Sequence, residues 1–112
     1  MDYEWVNFDQ GKTIEQKGTE GGKVIRDEEN TWGARISLEG KGDIAPFSIT
    51  LGIYGLMFHT KFISTLEQGQ ECFNLYKQKI EAVLIHYEVA KEKRDESWNK
   101  RHDELVEEIL QV

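Results

Sequence analysis

Cysteine is almost missing from this chain. A single Cys72 rules out an internal disulfide, so the fold rests on non-covalent packing alone. Long uncharged apolar runs are missing too: there is no uncharged apolar run of the roughly 18 residues that a membrane-spanning helix needs. The N-terminus, Met1-Asp2-Tyr3-Glu4-Trp5, is acidic and has no basic region leading into an apolar one. No secretory leader is therefore expected, and the sequence reads as a cytoplasmic protein. Basic charge is in short supply, with 14 Lys and Arg against 21 Asp and Glu and a net charge of −7. That balance disfavours non-specific phosphate binding, so no nucleic-acid partner is expected. Residues 70–112 contain neither glycine nor proline.

Several chemistries fail on spacing. Cys72, His59, His86 and His102 are too scattered for a zinc site. The residues three before His86 and His102 are Val83 and Asn99, so the Glu-x-x-His pairs of di-iron bundles are lacking. Gly11-Lys12-Thr13 and Gly18-Thr19-Glu20-Gly21-Gly22-Lys23 invite comparison with a phosphate-binding loop. In the first, Val6 holds the position of the leading glycine; the second is one residue short and runs into Val24. The acidic cluster Asp27-Glu28-Glu29-Asn30 lacks the calcium-loop spacing and is read as a turn. No metal, no cofactor and no catalytic residue is expected on these grounds.

What is present is enough apolar and aromatic material, 38% and 11%, for 112 residues to fold as one domain. The stretch from Pro46 to Ile63 is the richest. Phe47, Ile49 and Leu51 alternate with Ser48 and Thr50; after Gly52-Ile53-Tyr54-Gly55, Leu56, Phe58, Thr60 and Phe62 alternate with Met57, His59, Lys61 and Ile63. Such alternation marks strands with one buried face. A hairpin turning at the two glycines places Leu51 opposite Leu56 and Ile49 opposite Phe58, and Ser48 opposite His59. One bent strand through the glycines is the competing reading. Upstream, Val24-Ile25-Arg26 opens a strand, and Thr31–Glu39 alternates with Trp32, Ala34, Ile36 and Leu38 inward. Tyr3, Trp5, Val6 and Phe8 form an aromatic arm expected to dock on the domain.

From Thr65 the period lengthens. Leu66, Phe73, Tyr76, Ile80, Val83, Leu84 and Tyr87 recur at three and four residues, predicting an amphipathic helix capped by Ser64 or Thr65. Gly69 allows a later start. The run 91–97 carries no large apolar residue; then Trp98, Leu105, Val106, Ile109 and Leu110 return at helical spacing. Either one helix continues through, or it breaks where Asp95 or Ser97 caps a second. The break is favoured, because an uninterrupted helix would run about 60 Å. The predicted fold is α+β: a two-layer, four-stranded antiparallel β-meander with one or two C-terminal α-helices packed on its apolar face. Its parts are an arm and loop over 1–22, a sheet over 23–63 and a helical part over 65–112.

Two functional readings follow. The first is a non-enzymatic, small acidic interaction or regulatory protein that self-associates as a homodimer through the C-terminal segment, with Trp98, His102, Leu105, Val106 and Ile109 as the interface. That apolar stripe must be buried somewhere, against the chain itself or a second copy. The second is a small-molecule or anion-binding domain, with catalysis left open, using the polar sheet face, with Arg35, Ser48, Thr50, Tyr54, His59 and Lys61 as its candidate residues. The alternation assigns them to one face, although antiparallel sheets ordinarily solvate one face with such side chains.

Overall fold

Alternation at period two becomes strand and period 3.6 becomes helix. The computed structural model describes residues 4–89 and 94–112. It has five strands, β1 Trp5–Asn7, β2 Lys23–Asn30, β3 Ala34–Gly40, β4 Phe47–Ile53 and β5 Met57–Ile63, and two helices, α1 Leu66–Val89 and α2 Glu96–Leu110. The strands form one antiparallel sheet in sequence order. The α+β class is therefore as the pattern predicts, with one strand more. The extra strand is β1, taken from the aromatic arm and pairing Trp5 with Asn30. Three residues are too few to display an alternation. Tyr3 of that arm lies outside the described residues.

Two compact units make up the chain, Met1–Phe73 and Asn74–Val112. In the first, Ala34, Ile36, Leu38, Ile49 and Leu51 build the core face of the sheet, each at most 1% exposed. The opening turns of α1 pack on that face. Thr65 caps the helix, its Oγ1 accepting from the Gln68 N–H at 3.2 Å. Gly69 sits in the first turn rather than delaying it: a Cβ there would come within 3.1 Å of Leu38 Cδ1, so the missing side chain lets helix approach sheet. Arg26 lies 3.9 Å over the Phe73 ring and donates to Gln70 Oε1 at 2.8 Å.

Two expectations fail here. Asp27–Asn30 is not a turn but the last half of β2. Each carboxylate in it has a partner: Asp27 takes Arg35, Glu28 takes Arg26, and Glu29 takes the Tyr54 hydroxyl. Asn30 Oδ1 accepts from the Trp32 N–H, so the turn is displaced to Thr31-Trp32-Gly33. The second failure is the β4–β5 register. The chain does form a hairpin, but it turns at Tyr54-Gly55-Leu56, with Gly55 at φ +76° and Leu56 N–H bonded to Ile53 C=O at 2.9 Å. Gly52 stays in the strand. Leu51 thus faces His59 and Ile49 faces Lys61. The shift is an odd number of residues, so the whole of β5 is turned over. Met57, His59, Lys61 and Ile63 share the core-side face, and Phe58, Thr60 and Phe62 share the other.

In the second unit the helical pattern does break. Asp95 caps α2, its Oδ1 accepting from the Trp98 N–H at 2.9 Å. Residues 91–93 of the charged run lie outside the described residues. Tyr76, Ile80 and Val83 of α1 are fully buried, as are Trp98, Leu105 and Ile109 of α2 to within 9%. The Trp98 indole N–H donates to the His86 carbonyl at 3.1 Å, and its ring stacks on the imidazoles of His86 and His102 at 4.5 and 5.3 Å. Lys79 of α1 pairs with Glu108 of α2 at 3.2 Å.

Candidate functional site

The face of the sheet away from the core carries Asp27 and Glu29 from β2, Arg35, Ser37 and Glu39 from β3, Ser48, Thr50 and Gly52 from β4, and Phe58, Thr60 and Phe62 from β5. Its two halves differ. The β2–β3 half is roofed by the segment from Phe8 to Gly22. Phe8 stacks on the Arg35 guanidinium at 3.4 Å. The Thr13 hydroxyl donates to Asp27 Oδ2 at 2.8 Å. The backbone N–H groups of Glu20 and Gly22 donate to Glu39 Oε1 at 2.9 and 3.0 Å. The glycine-rich loop that resembles a phosphate cradle is therefore occupied by the chain's own carboxylate, which is 2% exposed.

The β4–β5 half lies open, and where roof meets opening there is a cleft of about 300 Å³. Phe8 and Arg35 stand on one side, Tyr54 and Phe58 on the other, with Ser37, Thr50 and Gly52 beneath. Gly52 lies between Arg35 and Phe58 in the ladder, and its missing side chain makes the depression. The Phe58 ring leans over it, 3.3 Å from where a Cβ would be.

The charges around the cleft are engaged. Arg35 forms a two-pronged pair with Asp27, Nε to Oδ1 at 2.9 Å and Nη2 to Oδ2 at 2.6 Å. Asp27 is 1% exposed, so the guanidinium compensates a buried carboxylate and is held firmly positive, its pKa raised above the ordinary arginine value chiefly by that hydrogen bond. The Tyr54 hydroxyl donates to Glu29 Oε2 at 2.7 Å. Burial first, and then this hydrogen bond, push the phenol up to about 12. The Thr50 and Thr60 hydroxyls lie 3.4 Å apart.

Of the six candidate residues, the structure gathers Arg35, Thr50 and Tyr54 at this cleft. Ser48 shares the face but is 2% exposed, between Glu39 and Phe62 in the ladder. His59 and Lys61 stand on the opposite face, so the Ser48–His59 juxtaposition does not form; Lys61 instead borders a recess with Ser64, Gln68 and Cys72 at the start of α1. Among the five residues expected at a subunit interface, Trp98, Leu105 and Ile109 are buried in the single chain, and His102 and Val106 are half-buried. Sequence reasoning missed Phe8 and Phe58. Phe8 gave no periodic signal, and Phe58 was assigned to the core by the wrong register. Chemically the cleft offers aromatic walls and the hydroxyls of Thr19, Ser37 and Thr50, with its cation already matched. No protein-family model matches the chain, and no curated protein or solved structure is similar to it.

Proposed function

We propose that the chain is a non-enzymatic interaction protein that receives an uncharged, apolar or aromatic side chain of a partner polypeptide in the cleft between Phe8 and Phe58. The observation that carries this reading is the exposure of Phe58: 81% of a phenylalanine stands in solvent, beside Tyr54 at 55% and at the mouth of a cavity. Exposed rings around a depression are what recognition sites use, because an aromatic anchor excludes water at little cost in side-chain entropy. The Asp27–Arg35 pair is neutral as a unit, which favours an uncharged guest, and the Ser37 and Thr50 hydroxyls suit the backbone of an extended peptide.

The test is a chemical-shift titration of the ¹⁵N-labelled protein with N-acetyl-phenylalanine amide, and separately with inorganic phosphate. Shifts at Ser37, Thr50, Tyr54 and Phe58 with the aromatic amide, lost in Phe8→Ala, support the proposal. Arg35 keeps 39% of its side chain exposed at the cleft, which favours a second reading, an anionic guest. Phosphate shifts at the same residues that weaken with added salt select that second reading. Silence with both probes refutes the cleft as a binding site.

A further inference from the structure

β5 ends the sheet, and among the described residues no further strand pairs with it. An open edge is normally protected by proline, a bulge or several charges. Residues 57–63, Met-Phe-His-Thr-Lys-Phe-Ile, have no proline and a single formal charge, Lys61, and β5 pairs with β4 without a bulge. Phe58 and Phe62 stand on its outer face, 81% and 45% exposed. We infer that β5 is the seam of a homodimer, in which two copies pair antiparallel about a two-fold axis through Thr60 and join their sheets into one.

The occupant is identified by the sequence of the strand itself. A two-fold antiparallel pair needs a strand that reads alike from both ends. Centred on Thr60, this one does: Met57 meets Ile63 of the second copy, Phe58 meets Phe62, His59 meets Lys61, and Thr60 meets Thr60. Each pair falls on one face, as a continuous sheet requires, and the aromatic pairs are of the kind that stabilises cross-strand contacts. An axis midway between two residues puts each residue opposite one on the other face. Centred one residue later, Lys61 would meet Lys61, and one earlier, Phe58 would meet Thr60. Only the Thr60 register pairs all seven positions and all four phenyl rings.

Charge points the same way. A chain of net charge −7 repels its own copy, yet between Asp43 and Glu67 there is no acidic residue at all. The β4–β5 hairpin is thus the surface on which two copies approach with least repulsion. Seven paired residues and four rings place the contact at the small end of specific interfaces, about 1,000 Å² in total, so an affinity in the micromolar range is expected. Such pairing leaves Phe8, Arg35 and the cleft floor untouched but engages Phe58, the ring that also walls the cleft, so guest and second copy compete for that one side chain; the test below therefore acts at Thr60, which does not line the cleft.

Sedimentation equilibrium of the whole chain with paired substitutions at the axis tests this. The unmodified chain is expected to dimerise. Thr60→Glu and Thr60→Lys, each placing like charges face to face at the axis, should weaken the dimer at least about tenfold. An equimolar mixture of the two should recover a heterodimer. A chain that stays monomeric up to about millimolar concentration, or a dimer indifferent to both substitutions, overturns the inference. Should a charged variant fail to fold, Thr60→Cys in a Cys72→Ser background serves instead: a short bis-maleimide should join two chains at residue 60. No cross-link there, in a folded dimer, overturns the inference equally.

Discussion

Glu39 shows how far one carboxylate can organise a loop. It lies 2% exposed and holds the backbone of Glu20 and Gly22, so its removal strands two amides away from water. Glu39→Ala should cost about 2–3 kcal/mol in urea unfolding, and Glu39→Gln, which keeps an acceptor, about half as much. A loss under about 0.5 kcal/mol would show that the loop holds itself. Tyr54 gives a second test at this scale. Its folded-state pKa, pushed up to about 12 from 10.0, means that its contribution to stability is fully present below pH 10 and is lost as pH rises from there through about 12. Spectrophotometric titration should show a late tyrosinate that disappears in Tyr54→Phe and moves down in Glu29→Gln. No change in Glu29→Gln would separate the phenol from that carboxylate. Neither feature was legible in the sequence, for one reason. Glu39 is 17 residues from Gly22 and Glu29 is 25 from Tyr54 in the chain. Spacing identifies local partners, whereas these are joined by strand pairing.

At the scale of elements, periodicity identified β3, β4, β5 and both helices, whereas only the first half of β2 was legible and the face of β5 came out inverted. The reason lies in the turn. Alternation within a strand says which residues share a face, not which face meets the core. That choice is made by the length of the connection. Taking Gly52 and Gly55 as the two ends of the turn puts Ile53 in it, but Ile53 is 4% exposed and belongs to β4. Keeping it there leaves Tyr54-Gly55-Leu56 to turn the chain. Gly55 carries that turn at φ +76°, with no atom within 4 Å of where a Cβ would sit. Gly55→Ala should therefore cost about 1 kcal/mol through backbone strain alone, and Gly55→Asn distinctly less. Thermal unfolding of the three proteins checks the order. Alanine and asparagine variants of equal stability would mean that the turn relaxes out of its left-handed conformation. At α2 the local signal sufficed, since Asp95 lies next to the helix it caps. Asp95→Ala should cost about 1 kcal/mol, measured in the same way.

At the scale of the whole molecule, the apolar stripe of α2 and the edge strand β5 are the two surfaces on which a contact with a second copy is argued, the first from the sequence and the second from the fold. Several large apolar residues at helical spacing need cover. That requirement is real, but the single chain already meets it for Trp98, Leu105 and Ile109. The sequence could not show this, because the return of α2 along α1, which sets Trp98 beside His86 and Glu108 beside Lys79, depends on the break before Asp95. The distinction has a measurable consequence at Ile109, which is fully buried. Ile109→Ala should lower stability by about 3 kcal/mol, as expected for deleting a packed aliphatic side chain. It should leave the association constant of the folded protein unchanged. Val106→Ala, at a half-buried position, should cost under about 1 kcal/mol and likewise spare association. Truncation at Arg94 is a poorer experiment, because it removes Trp98 from beside His86 and Glu108 from beside Lys79 and so unsettles α1 along with any interface. Such a chain should lose more helical circular dichroism than the α2 residues account for. Urea unfolding and sedimentation equilibrium, run together on the Ile109→Ala protein, separate the cases. Lowered stability with unchanged association assigns Ile109 to the core of the single chain and leaves β5 as the seam. Weakened association at undiminished stability would move the interface back to α2.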